Sequence, residues 1–134
     1  MIDFEFREED SNIFGKILRP IADVYFKDNE DSEVIAFMYI DSGADITLIP
    51  QKFGEALGFK VEEDKIIEIG GIGNAIIPII LKKANIRIGN AIIDVKVAWA
   101  LINEVPYLLG RLDIFDKFNI EFTQKDRKIL FKNN

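Results

Sequence analysis

The feature that most constrains this chain is an acidic loop set between two apolar runs. A largely apolar stretch leads from Val34 to Ile40, halts at Asp41-Ser42-Gly43-Ala44-Asp45 and resumes as Ile46-Thr47-Leu48-Ile49. Near-continuous apolar runs read as strands covered on both faces, whereas the arms of an exposed hairpin alternate. Asp, Ser and Gly are also ordinary turn residues, so the loop by itself is equally a tight turn. Its apolar flanks add a second reading. A buried ionised carboxylate is costly unless it is paired or hydrogen-bonded, and chains tend to accept that cost where the carboxyl does chemistry.

Composition narrows the chemistry further. The chain has no histidine and no cysteine, which removes disulfides, thiolate or imidazole metal sites and every Ser-His or Cys-His mechanism. What remains for hydrolysis is carboxylate chemistry, a Ser-Lys or Thr variant, or an all-carboxylate metal site. A net charge of −6 argues against a nucleic-acid partner, which calls for a basic surface. No run is long enough to span a membrane, and the acidic start Met1 to Asp10 is unlike a signal peptide, so a cytoplasmic protein without membrane partners is expected. At 134 residues the expectation is one domain over 1–134, with 1–12 as a loose arm or an edge strand.

Along the chain, Ile13 to Phe26 reads as strand interrupted at Arg19-Pro20, and Lys27 to Glu33 as a charged turn. Pro50 to Gly58 reads as a short helix, with proline at its start, Phe53 and Leu57 four apart and Gly58 as a stop. Val61 to Ile69 and Ala75 to Leu81 read as strands around Gly70-Gly71-Ile72-Gly73-Asn74, a tip whose glycines tolerate positive φ. Ala84 to Ile88 and Ala91 to Trp99 form a further hairpin across Gly89-Asn90. After a short strand at Pro106 to Leu109, Leu112 to Phe118 has helical spacing, and Asn119 to Phe122 pairs with Lys128 to Phe131. The sum is a mostly β, closed barrel-like domain with two short helices and a glycine-rich hairpin.

Three of these segments, in this order, resemble one family. Asp41-Ser42-Gly43-Ala44-Asp45 with its apolar follow-on resembles the active-site loop of the retropepsin-like aspartic proteases, the single-domain relatives of pepsin. Ile69-Gly70-Gly71-Ile72-Gly73-Asn74-Ala75 resembles the glycine-rich flap of the retroviral enzymes. Leu108-Leu109-Gly110-Arg111-Leu112-Asp113 resembles the apolar-Gly-Arg segment that crosses behind the catalytic loop. The helix at Pro50 to Gly58 makes the chain more similar to the cellular and prokaryotic members than to the retroviral ones.

The resemblance implies an aspartic endopeptidase without cofactor or metal, in which Asp41 is catalytic. One carboxylate must take a proton from water while another, protonated, polarises the carbonyl. A chain with a single such motif then needs a second copy, so a homodimer with two Asp41 residues on its axis is implied, with coupled titration and activity on the acidic side of neutral. Ser42, Gly43 and Arg111 are implied as supports of the loop, with Ser42 bonding the partner's loop and Arg111 pairing with Asp45. Ala44, Asp45, Leu48, Ile69, Gly70, Gly71, Ile72, Pro106 and Leu108 fall at substrate-binding positions, which suits an extended peptide with apolar side chains at the cleaved bond. Arg19 is read either as reaching the partner's Asp45 or as a surface cation. Two rivals stay open: a catalytically silent homodimeric peptide-binding domain of the same fold, and a carboxylate metal hydrolase built on Asp41, Asp45 and Asp113.

Overall fold

The computed structural model describes residues 1–62, 65–70 and 73–133. In order, the elements are β1 (Ile2–Glu5), β2 (Arg7–Ser11), β3 (Gly15–Arg19), β4 (Ile21–Lys27), β5 (Glu33–Ile40), β6 (Thr47–Ile49), α1 (Gln51–Ala56), β7 (Ile67–Gly70), β8 (Ile76–Ile88), β9 (Ala91–Ala100), β10 (Leu108–Leu109), β11 (Phe118–Thr123) and β12 (Lys128–Asn133).

Six strands pair in the order β4-β5-β10-β6-β9-β8, and β8 returns to β4 with Val24 opposite Ile88 and Phe26 opposite Ile86. This closes the barrel, which removes the open edges that a flat sheet of these apolar strands would expose. β8 is long enough to serve several partners: its start, Ile76 to Ile79, pairs with β7, its stretch from Ile79 to Ile88 with β9, and its end, Ile86 to Ile88, also with β4.

Alternation along the strands fills the interior. β4 points Ala22, Val24 and Phe26 inward, β5 adds Ala36, Met38 and Ile40, and Trp99 of β9 is sealed by α1, its ring N–H donating to Gln51 O at 3.0 Å. Phe53 of α1 stands edge-on to Phe26 at 5.1 Å and to Tyr107 at 5.4 Å, the arrangement aromatic quadrupoles favour. A smaller apolar cluster of Leu48, Ile79, Ala98 and Ala100 lies apart from this core. β12 runs between β1 and β11 in a separate three-stranded sheet whose Phe118, Ile129 and Phe131 join the main core.

Several sequence expectations change. Of the two readings of residues 1–12, the edge strand holds and the loose arm does not: β1 lies at the edge of its sheet on β12, and β2 pairs with β3. The strand expected from Val61 begins at Ile67, and Val61 and Ile66 are exposed. The two strands expected over Ala75 to Ile88 are the single β8. The helix expected over Leu112 to Phe118 is a series of turns, because Asp113 takes φ +66 and breaks the helical path that Phe115 N–H to Arg111 O starts. β5 is buried on one face only: on the other, Ile35 and Phe37 are exposed and Tyr39 is half-buried.

Candidate active site

β5 ends at Ile40 and β6 begins at Thr47, so the Asp41 loop leaves and re-enters the barrel wall. β10 fits between these two strands, parallel to β5 and antiparallel to β6. It clamps the loop from below. Asp41 N–H donates to Leu109 O at 3.1 Å, Arg111 N–H to Ala44 O at 2.9 Å, Leu112 N–H to Asp45 O at 3.0 Å, and Gly110 N–H to the hydroxyl of Thr47 at 3.1 Å. Thr47 is fully buried, the one polar residue in the core among the described residues.

Within the loop, Gly43 N–H donates to Asp41 Oδ1 at 2.9 Å and Ala44 N–H to Asp41 O at 3.2 Å. The first bond fixes the carboxyl's orientation. The loop is less buried than its flanks suggest: Asp41 is half-buried, while Ser42, Gly43 and Asp45 are exposed.

Asp41 stands in a groove of about 740 Å³. One side is formed by the loop and by Ile46 and Leu48, another by Ile69, Gly70, Ile76 and Ile77, the third by Ile102, Glu104, Pro106 and Leu108. The smaller apolar cluster is its floor: Leu48 belongs to that cluster, and Ile69, Ile77, Ile102 and Leu108 pack on it. A half-buried aspartate lining an apolar trough, its carboxyl held by the Gly43 amide, can exchange protons with a bound molecule while the trough holds apolar groups beside it.

No family model and no curated protein matches the chain. Among solved structures, the EIAV protease complexed with the inhibitor HBY-793 is similar, with a TM-score of 0.54 at 21% identity, over 75% of this chain and 86% of that one. The fold is retropepsin-like.

In this retropepsin-like frame, Asp41, Gly43, Ala44, Asp45, Leu48, Ile69, Gly70, Pro106 and Leu108 all line one groove. Gly71 and Ile72, expected at the flap tip, lie outside the described residues. Ser42 is exposed and does not line the groove. Arg111 is exposed and bonds the loop through its backbone N–H, with no ion pair to Asp45 among the described residues. Its expected pairing is thus replaced by the ladder of backbone bonds from 110–112. Arg19 stands 3.7 Å from Glu9 of its own chain. Asp113 Oδ2 accepts the Lys96 N–H at 2.9 Å, and the residue lines a separate concavity with Lys83 and Asp94. The three carboxylates of the metal reading are therefore not gathered.

Sequence reasoning missed Ile46, Ala75, Ile76, Ile77, Ile102 and Glu104. Ile76 and Ile77 face Gly70 and Ile69, whereas strands ending at Ile69 and starting at Ala75 would put Ile69 opposite Ala75. Ile102 and Glu104 sit in an irregular link, where no period marks which residues turn toward a groove.

Proposed function

We propose that the protein is an aspartic endopeptidase that works as a homodimer. The observation that carries this reading is the placement of Asp41, oriented by Gly43 N–H, in an apolar groove of a retropepsin-like fold. The likeness to the EIAV protease supports it through the fold.

Each chain brings one Asp41, so the proposed dyad forms where two loops meet. Two carboxyls about 3 Å apart cannot both ionise, and they share one proton. The ionised Asp41 takes a proton from a water as its oxygen attacks the peptide carbonyl carbon, while the protonated partner gives its proton to the carbonyl oxygen. The tetrahedral diol then collapses: a proton passes to the nitrogen, the C–N bond breaks, and the dyad is left with one proton again. Ile69, Leu48, Pro106 and Leu108 hold apolar side chains of an extended peptide beside the cleaved bond, and in this reading the Ser42 hydroxyl bonds the partner's loop, which its exposure allows.

The test is cleavage of a mixed peptide library between about pH 3 and 7 at high protein concentration, with Asp41→Asn alongside. Removal of an acid–base group of this kind lowers turnover by roughly 10²–10⁴-fold, with peptide binding retained. Equal cleavage by the Asn variant would sink the reading, and a wild-type dimer that binds peptides without cutting them would make the protein a peptide-binding domain.

A further inference from the structure

β12 is hydrogen-bonded along both edges within its own chain, to β1 and to β11. It has no edge left to exchange with a second copy. The β2–β3 ribbon is different. It belongs to no larger sheet, and a two-stranded ribbon is marginally stable by itself. Polar side chains tether it to the barrel: Arg7 pairs with Asp23 and lies over the Phe37 ring at 4.2 Å, and the Tyr39 hydroxyl donates to Glu9. At its turn Ile13 and Phe14 are 82% and 75% exposed. The turn is nonetheless built: Ser11 Oγ accepts from the amides of both residues at 3.2 Å, and Gly15 takes φ +72.

We propose that this ribbon, residues 7–19, is the dimerisation arm, with its Ile13–Phe14 tip docked on a second copy of the chain. The proposal rests on the reading that the active site takes Asp41 from two copies, and its occupant follows from where the ribbon is rooted. Pro20 O, directly after β3, accepts the N–H of Ile40 at 3.0 Å, one residue before Asp41. The arm therefore leaves the barrel at the edge where half of the dyad is missing. Its size suits the task. Residues 7–19 with the loop 41–45 and the crossing 110–112 make about 20 residues a side, the lower end of a standard interface, and two-fold symmetry uses each contact twice. The face that carries Glu8 and Asp10 also carries Lys16, paired with Glu8 at 3.1 Å, so the charge of that face is partly balanced where two copies of a chain with net charge −6 meet.

The experiment is sedimentation of the full chain over a wide concentration range, comparing wild type, the double variant Ile13→Ser/Phe14→Ser and Phe122→Ser, which removes an exposed apolar side chain on a different sheet. The arm predicts a wild-type dimer, a dissociation constant raised at least about tenfold in the double variant, and no change with Phe122→Ser. Hydrogen exchange on the wild type alone gives a second reading, with amides 13–15 better protected in concentrated than in dilute protein. A wild type that stays monomeric, a double variant that dimerises as wild type, or unchanged protection at 13–15 overturns the arm. Peptide cleavage separates the two proposals: a wild-type dimer that depends on the tip but cuts nothing keeps the arm and removes the protease.

Discussion

Gly110 lies so close beneath Ile46 that a Cβ at position 110 would stand 2.4 Å from the carbonyl carbon and oxygen of Ile46. Both partners in that contact are backbone, so neither can swing aside as a side chain would. The Asp41 loop and the crossing behind it are thereby fixed to each other at a distance only glycine allows.

Gly110→Ala is therefore expected to destabilise the fold by about 3 kcal/mol or more and to displace the Asp41 loop. Urea unfolding measures the first effect and peptide cleavage the second. A variant with the wild-type midpoint would show that the crossing can move away from the loop without cost.

Thr47 tests the same junction by its hydrogen bond. Thr47→Val keeps the shape but leaves the buried Gly110 N–H without its acceptor, at roughly 1–3 kcal/mol. Thr47→Ser keeps the hydroxyl and loses a methyl, at about 1 kcal/mol. Denaturant midpoints that rank Val below Ser show that the hydrogen bond outweighs the methyl contacts, and the reverse order gives packing the larger share.

Tyr39 gives a dependence on pH. Burial first, then its hydrogen bond to Glu9, raises the Tyr39 pKa above its ordinary value of 10.0. Above about pH 10 the unfolded chain releases this phenolic proton while the folded chain still holds it, so rising pH favours unfolding. The contribution is complete below pH 10 and is lost as pH climbs through the raised value. Unfolding midpoints between pH 8 and 11 should fall less steeply for Tyr39→Phe than for wild type, and parallel curves would contradict the assignment.

The described groove lining holds Asp45 and Glu104 beside Asp41 and no lysine or arginine. Peptides with a lysine or arginine near an apolar cleavage site should be cut faster than acidic ones, with the preference shrinking as salt screens it. Glu104→Gln should weaken the preference without loss of cleavage. Equal rates for basic and acidic peptides at low salt would remove Glu104 from any role in selection.

What could be read from the chain beforehand follows the strength of each local signal. The hairpin at Gly89-Asn90, the short helix behind Pro50 and the closing hairpin of β11 and β12 all carry turn or stop residues flanked by matching apolar periods, and all formed. Residues 112–118 kept a helical period but turned at Asp113, whose positive φ no spacing rule anticipates and whose carboxylate is held by Lys96 N–H in β9. β2, written Arg-Glu-Glu-Asp-Ser, carries no strand signal at all, since its pairing with β3 and its side-chain tethers arise only in three dimensions. At the site, the loop residues were legible because an Asp between apolar strands is unusual, whereas the pairing of Arg111 with Asp45 depended on side-chain geometry and gave way to backbone bonds. Exposure of Phe37 was hidden for a similar reason: an apolar run does not say whether its second face is covered by the same chain.

β8 has the mechanics of a cantilever beam. Its far end is built into the barrel seam at Val24–Phe26, and the near end, carrying Ile76 and Ile77, overhangs the groove. A load placed on Ile77 is passed along one unbroken strand to the seam, with β9 bracing it from Ile79 to Ile88. The seam end is therefore the stiff part of the beam, and the overhang at Ile76 and Ile77, paired with β7 and beyond the reach of β9, is the part that bends to an incoming chain.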